Sequence, residues 1–208
     1  MEYVVVATHC HYDHVLGMEQ FAPDSQILVS GNCPSFVSPA NLPTHSLCKH
    51  MGIRTPVYTP ILVSHQHAIR SRTHVPLALF DSAERMLYVG DSLYEEETII
   101  FPKEGSIIEW MSSIEYLILF VKTQEEQGSN KTGPVLINSG HRTVSQPALG
   151  VLVAAKEFMQ DVISGIEPVR ERRTVRGDET VVYAQKGGRF ALRCPERLVL
   201  AAQKISHM

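Results

Sequence analysis

Cysteine is scarce in this sequence, and no hydrophobic run in it is long. The four cysteines contain no Cys-x-x-Cys pair, which argues against a disulfide framework in a 208-residue chain and favours a reducing compartment, the cytoplasm. The longest strongly apolar stretch, residues 116–121, is far too short to cross a bilayer, so we expect no membrane anchor. A basic start followed by a long apolar segment is also lacking, which argues against a secretory signal.

The chain has no large excess of one charge, but its basic residues gather near the end. The net charge is −3, whereas from Gly165 onward 9 Lys or Arg stand against 5 Asp or Glu. Arg170, Arg172, Arg173 and Arg176 form either a solvated connection or a contact for a phosphate-bearing substrate such as an acyl coenzyme A. No aromatic residue alternates with these arginines, so we do not expect nucleic acid as a partner.

Length and composition fit one domain with alternating strands and helices. A chain of 208 residues with 44% hydrophobic residues can bury one sizeable core, which predicts a single domain over residues 1–208. Short aliphatic runs bounded by turn residues predict strands, and two further runs around a Gly-Gly pair predict a hairpin. The strands are 4–7, 26–29, 77–80, 86–89 and 135–138, and the hairpin joins 180–185 to 189–194.

Two longer segments have the apolar spacing of amphipathic helices. The first helix is predicted over 106–124, and the second opens at Pro147 and closes at Gly165. The apolar face of the first consists of Ile107, Met111, Ile114, Ile118 and Val121, and that of the second of Leu152, Ala155, Met159 and Val162. Both helices are expected to lie on a sheet, which indicates the α/β class.

The densest chemistry in the chain follows the first predicted strand. His9, His11, Asp13 and His14 place three imidazoles and a carboxylate within six residues. These are the ligands that suit zinc, iron and related divalent ions. His9 and His11 alternate on an extended segment and face the same way, while Asp13 and His14 turn back toward them. The spacing therefore permits two sets of metal ligands.

This His-x-His-x-Asp-His segment after a short strand resembles the metallo-β-lactamase fold superfamily. The resemblance extends to an aspartate after one strand, Asp91, and a histidine after another, His141. It implies an αββα sandwich of the metallo-β-lactamase type. Relatives place several strands ahead of the histidine loop, so the N-terminal strands of the sandwich are expected to be missing.

The third histidine of the superfamily pattern is the point at which this sequence departs from it. His74 is the best match, although the glycine that precedes this histidine in relatives is absent. His65 and His67 are substitutes on distance, and their other interpretation is a solvated loop. Cys10, between two presumed ligands, is expected to serve in packing.

The resemblance implies a metal-dependent hydrolase acting on a small-molecule ester or thioester, as in the acyl-thioester-cleaving branch. A water held between cations loses a proton near neutral pH and becomes the nucleophile, and Asp13 orients it. One or two zinc ions are expected, with iron or manganese as alternatives. The implied ligands are His9, His11 and His74 for one ion, Asp13, His14 and His141 for the other, and Asp91 between them.

Two other functional classes remain open from the sequence. The same scaffold can hold redox iron in an oxidoreductase, or a truncated relative can bind metal without catalysis. Near the predicted site, Tyr94 either faces the substrate or is an ordinary half-buried tyrosine, and Glu95, Glu96 and Glu97 are interpreted as a solvated acidic turn. The sequence indicates no particular oligomeric state.

Overall fold

The structure is a computed structural model and describes residues 4–31, 34–63, 78–127, 133–175 and 177–206. These residues divide into two compact units, the first comprising 4–63 with Ala78 and the second comprising 79–206. Among the described residues, no helix combines the length and the apolarity needed to cross a membrane. A single domain over residues 1–208 stays a prediction.

The first unit contains a three-stranded parallel sheet in the order β1-β2-β3. Its strands are β1 (Val4–Val6), β2 (Gln26–Ser30) and β3 (Pro60–Val63), and its short helices are α1 (Tyr12–Val15), α2 (Met18–Phe21), α3 (Leu42–His45) and α4 (Cys48–Met51). Ala7, Val15, Met18, Ile27 and Val29 form its buried core. Val15 and Met18 lie three residues apart, so the two helical turns after β1 place both against the sheet.

The second unit contains two four-stranded mixed sheets and three longer helices. One sheet has the order β4-β5-β7-β8 and the other β6-β11-β10-β9. The strands are β4 (Leu79–Asp81), β5 (Met86–Tyr88), β6 (Thr98–Ile100), β7 (Leu136–Asn138), β8 (Gln146–Pro147), β9 (Val169–Val175), β10 (Asp178–Ala184) and β11 (Ala191–Pro195). The helices are α5 (Ile107–Gln127), α6 (Ala148–Ser164) and α7 (Glu196–Ser206).

Both long predicted helices are present, with one difference in the buried face. In α6 the four predicted apolar residues are all buried. In α5, however, Trp110 and Leu117 lie at the centre of the buried face, and Met111 and Ile118 lie at its half-buried edge. The predicted face was therefore rotated slightly, because a four-residue step overshoots the 3.6-residue helical turn.

The basic segment near the end is a strand and not a solvated connection. Residues Val169–Val175 form β9, which pairs antiparallel with β10 at the edge of its sheet. Charged side chains suit an edge strand because they oppose further pairing. The predicted hairpin is confirmed as β10 and β11, which pair from Thr180 with Pro195 to Ala184 with Ala191.

Candidate metal centre

In the first unit, four of the predicted ligands follow the carboxyl end of β1. Tyr12 donates its backbone N–H to the Ser46 carbonyl at 2.8 Å, which fixes the start of α1. The His11 carbonyl accepts the N–H groups of His14 and Val15 at 3.0 and 3.1 Å. One helical turn thereby brings Asp13 and His14 back beside the extended residues before it. We call His9, His11, Asp13 and His14 the N-terminal cluster.

The distances within the N-terminal cluster fit metal coordination. His9 Nε2 lies 3.1 Å from His11 Nδ1, and the rings of His9 and His14 lie 4.1 Å apart between centroids. Two nitrogens bound tetrahedrally to one zinc at about 2.0–2.1 Å would lie roughly 3.3 Å apart. His14 Nε2 lies 3.7 Å from Asp13 Oδ2. Imidazoles and a carboxylate at these separations match the donors that zinc, iron and manganese accept.

In the second unit, two further predicted ligands lie at the ends of neighbouring parallel strands. β5 pairs with β7 so that Tyr88 lies opposite Asn138, and Asp91 and His141 each follow three residues later. His141 Nε2 lies 3.6 Å from Asp91 Oδ1. Gly90 has a φ of 51°, a left-handed conformation that glycine adopts without strain and that turns the chain sharply after the strand.

Backbone hydrogen bonds hold the loop that carries His141. Ser139 donates its N–H to the Thr143 carbonyl at 2.9 Å, and Gly140 donates to the Gly90 carbonyl at 2.9 Å. Tyr94 is buried, and its ring meets the His141 ring edge-on at 4.8 Å between centroids. Tyr94 therefore packs against a predicted ligand and is buried rather than half-buried.

The acidic turn that precedes β6 makes specific contacts. Glu95 accepts a hydrogen bond from Arg189 Nε at 2.9 Å, and its backbone N–H donates to Thr143 Oγ1 at 2.9 Å. Glu97 Oε2 lies 3.6 Å from His141 Nδ1. Glu95 and Glu97 therefore make contacts that a simply solvated turn would lack, whereas Glu96 is exposed as interpreted. Sequence spacing gave no signal for Glu97, because its proximity to His141 depends on how the turn before β6 meets the loop after β7.

A cleft of about 350 Å³ opens beside the His141 loop in the second unit. Its lining consists of Glu95, Glu96, Arg142, Thr143, Val144, Gln146 and Arg189. The volume is at the lower end of the range for small-molecule sites, which is roughly 300–1,000 Å³. The cleft can therefore admit a small polar molecule.

Burial makes the thiol of Cys10 unreactive. Cys10 is buried, and burial raises the pKa of its thiol to about 11. Burial likewise raises the pKa of Tyr58 to about 12, with Cys10 and Cys48 adding a smaller effect. A neutral thiol is a poor nucleophile and a poor metal ligand, which agrees with a packing role for Cys10.

The arginines of β9 are engaged by carboxylates. Arg172 pairs with Glu196, Arg173 pairs with Glu171, and Arg170 Nη2 lies 3.3 Å from Glu167 Oε1. Glu196 raises the pKa of Arg172 further by hydrogen bonding and charge. Cations already paired in this way offer little attraction to a phosphate-bearing substrate. Arg176 lies outside the described residues.

The structure thus places the described predicted ligands in two groups, one in each unit. The N-terminal cluster lies in the first unit, and Asp91 with His141 lies in the second. His74 and its substitutes His65 and His67 lie outside the described residues. The assignment of all seven residues as ligands stays a prediction.

Comparison with known proteins gives the fold. A metallo-β-lactamase family protein of Thermus thermophilus, known from its crystal structure, matches with a TM-score of 0.52 and 13% identity, covering 82% of this chain and 65% of that one. A protein of Aspergillus versicolor named as a candidate transcription factor, avaE, is 24% identical over 98% of this chain and 66% of its own length. The chain spans just under two thirds of either protein. No family model matches the sequence.

The predicted fold class is confirmed. The chain has an α/β fold of the metallo-β-lactamase type, with mixed sheets and helices as the resemblance implied. At 13% identity this likeness concerns the fold and not the activity.

Proposed function

We propose that this protein is a metal-dependent hydrolase that cleaves an ester or thioester. The observation that supports this proposal best is the position of the ligands on the fold. In each unit, imidazole and carboxylate groups follow the carboxyl ends of parallel strands and lie at separations that suit a shared ion. We propose further that these residues together hold one or two divalent ions, with zinc as the first choice and iron or manganese as alternatives.

A bound divalent ion would lower the pKa of water and polarise the scissile carbonyl. The side chains of the protein would hold the ion and orient the water. His9 and His11 would hold the ion through ring nitrogens, and Asp91 would contribute a carboxylate from the second unit. Asp13, with its side chain 41% exposed, can accept a hydrogen bond from the attacking water and orient it toward the carbonyl.

The cleft beside His141 supports a small-molecule substrate. Its lining carries both carboxylates and guanidinium groups, so it suits a polar acyl group or leaving group better than a long apolar chain. We place the activity in the cytoplasm, because Cys10, Cys48 and Cys194 are free thiols as expected in a reducing compartment.

The name of the Aspergillus protein raises nucleic acid as a partner, but the charges of this chain favour it less than a small molecule. Nucleic-acid binding needs cations that are available to phosphates. In the described part of β9, by contrast, the arginines pair with glutamates. We therefore propose a small-molecule substrate, no membrane partner and no nucleic acid.

The proposal is tested by measuring zinc content and hydrolysis together. Zinc-loaded protein is assayed on a panel of esters and acyl thioesters, beside Asp91→Ala and the exposed-site control His50→Ala. We expect the aspartate variant to lose at least about 100-fold in kcat/KM and to bind less zinc, because the proposed bridge is gone. His50→Ala should match the wild type. Undiminished turnover in Asp91→Ala, or iron with dioxygen consumption in the wild type, would overturn the hydrolase.

A further inference from the structure

The imidazole of His141 lies between two carboxylates of the second unit. Asp91 Oδ1 lies 3.6 Å from its Nε2, and Glu97 Oε2 lies 3.6 Å from its Nδ1. Asp91 belongs to the proposed ligand set, whereas Glu97 has no assigned role. The two ring nitrogens therefore face different carboxylates, and one carboxylate can bind the metal while the other orients the ring.

A neutral imidazole carries one N–H, and its position decides which nitrogen can bind a metal. An ionised carboxylate only accepts hydrogen bonds, so Glu97 favours the tautomer with the proton on Nδ1. By the same argument Asp91 favours the proton on Nε2, but a divalent ion held by Nε2 and Asp91 would take the place of that proton. We infer that Glu97 is a positioning residue that fixes His141 in the tautomer and orientation required to bind a metal through Nε2. This inference rests on the metal site of the proposed function, but not on hydrolysis.

The surroundings of Glu97 suit such a role. Glu97 directly precedes β6, and that strand pairs with β11, so the backbone next to the carboxylate is held in a sheet. Tyr94 packs edge-on against His141 and limits rotation of its ring. A closer approach of roughly 0.6–0.8 Å would bring the carboxylate to hydrogen-bond length. A bound metal that fixes the ring would favour that approach.

The other two glutamates of the turn are occupied differently. Glu95 is bound by Arg189, and Glu96 lines the cleft. Glu97 is therefore the member of the turn that faces the ring. Outer carboxylates of this kind raise the basicity of a metal-bound histidine, and their loss typically costs about 10–100-fold in metal affinity.

The test measures the tautomer of His141 in metal-free protein by two-bond ¹H–¹⁵N correlation, at a pH about two units above the ordinary imidazole pKa of roughly 6.5. The signal is assigned by its loss in His141→Ala. Because Asp91 and Glu97 lie at equal distances and draw the proton to opposite nitrogens, we expect both tautomers in the wild type and a shift toward the Nε2–H form in Glu97→Leu. Glu97→Gln should stay close to the wild type, because its amide oxygen still accepts a hydrogen bond.

Cobalt titration of the same variants gives a second measurement. Glu97→Leu should bind about 10–100-fold more weakly with unchanged stoichiometry and unchanged cobalt absorption bands at saturation. Glu84→Leu is the matched control, because Glu84 is exposed in the turn at the opposite end of β5 from Asp91.

An unchanged tautomer in Glu97→Leu would overturn the inference. Loss of a full metal equivalent would also overturn it, by making Glu97 a ligand. A protein that binds cobalt as expected but hydrolyses nothing would refute the proposed function alone.

Discussion

Cys194 shows how burial sets the acid–base behaviour of one side chain. The residue lies in β11 opposite Val181, and it is fully buried. Burial, with a smaller effect from Glu196, raises the pKa of the thiol to about 12. The folded protein therefore holds Cys194 in the neutral form at pH values at which the unfolded chain ionises it.

This difference predicts alkaline instability that depends on one thiol. Because the folded pKa lies above the unfolded value, the contribution of Cys194 is complete below about pH 9 and is lost as pH rises toward the folded pKa. By pH 11 the loss amounts to roughly 2–3 kcal/mol. Denaturant unfolding of wild type and Cys194→Ala from pH 7 to 11 should show the stability gap narrowing by that amount. Parallel pH profiles would contradict the assigned burial effect.

Sequence could predict the position of those residues for which type and local pattern suffice. His9, Asp91 and His141 stand at strand ends, where a short pattern suffices to find them. Glu97 could not be found in this way, because only the meeting of the turn before β6 with the loop after β7 brings it to His141. Glu95 and Arg189 are 94 positions apart in the sequence, so their pairing could not be predicted from a local pattern either.

At the scale of elements, a glycine-to-alanine substitution tests why a helix ends where it does. Gly165 directly follows α6 and has a φ of 77°, and an added Cβ would meet no atom within 4 Å there. An alanine there would meet open space but a strained backbone. Gly150 lies inside the same helix, also with open space around an added Cβ and without a positive φ.

The two positions therefore predict opposite effects of the same substitution. Gly165→Ala should lower the free energy of unfolding by about 1 kcal/mol, because alanine disfavours the left-handed conformation. Gly150→Ala should raise it by about 0.5 kcal/mol, because alanine is the better helix former. Chemical denaturation of both variants with the wild type provides the comparison. A loss at both positions, or a gain at both, would refute the backbone explanation.

Periodic elements were predictable and irregular ones were not. α6 followed from its apolar spacing, Pro147 and Gly165, because one face of a helix must be buried along its whole length. β9 was missed, since its charged side chains on an edge strand give no apolar alternation. β3 and β6 were also missed, because strands of three or four residues carry too little pattern.

At the scale of the whole molecule, the proposed metal centre takes its ligands from distant parts of the sequence. The N-terminal cluster and the pair of Asp91 with His141 both belong to the proposed ligand set. Metal binding should then stabilise the protein as a whole, because only the folded chain gathers both groups. Two independent weak sites, one in each unit, are the competing arrangement.

A double-mutant cycle separates these arrangements. The zinc-induced rise in melting temperature is measured for the wild type, His9→Ala, Asp91→Asn, the double variant and the control His50→Ala. If His9 and Asp91 act on one metal centre, each single substitution should remove most of the rise, and the double variant should lose little more. Converted to free energy, the coupling should exceed about 1 kcal/mol, because residues that act on one site are not additive. With independent sites each substitution would remove its own share and the losses would add, which would disprove the shared centre. His50→Ala should retain the whole effect, since its exposed side chain in α4 lies outside the proposed ligand set.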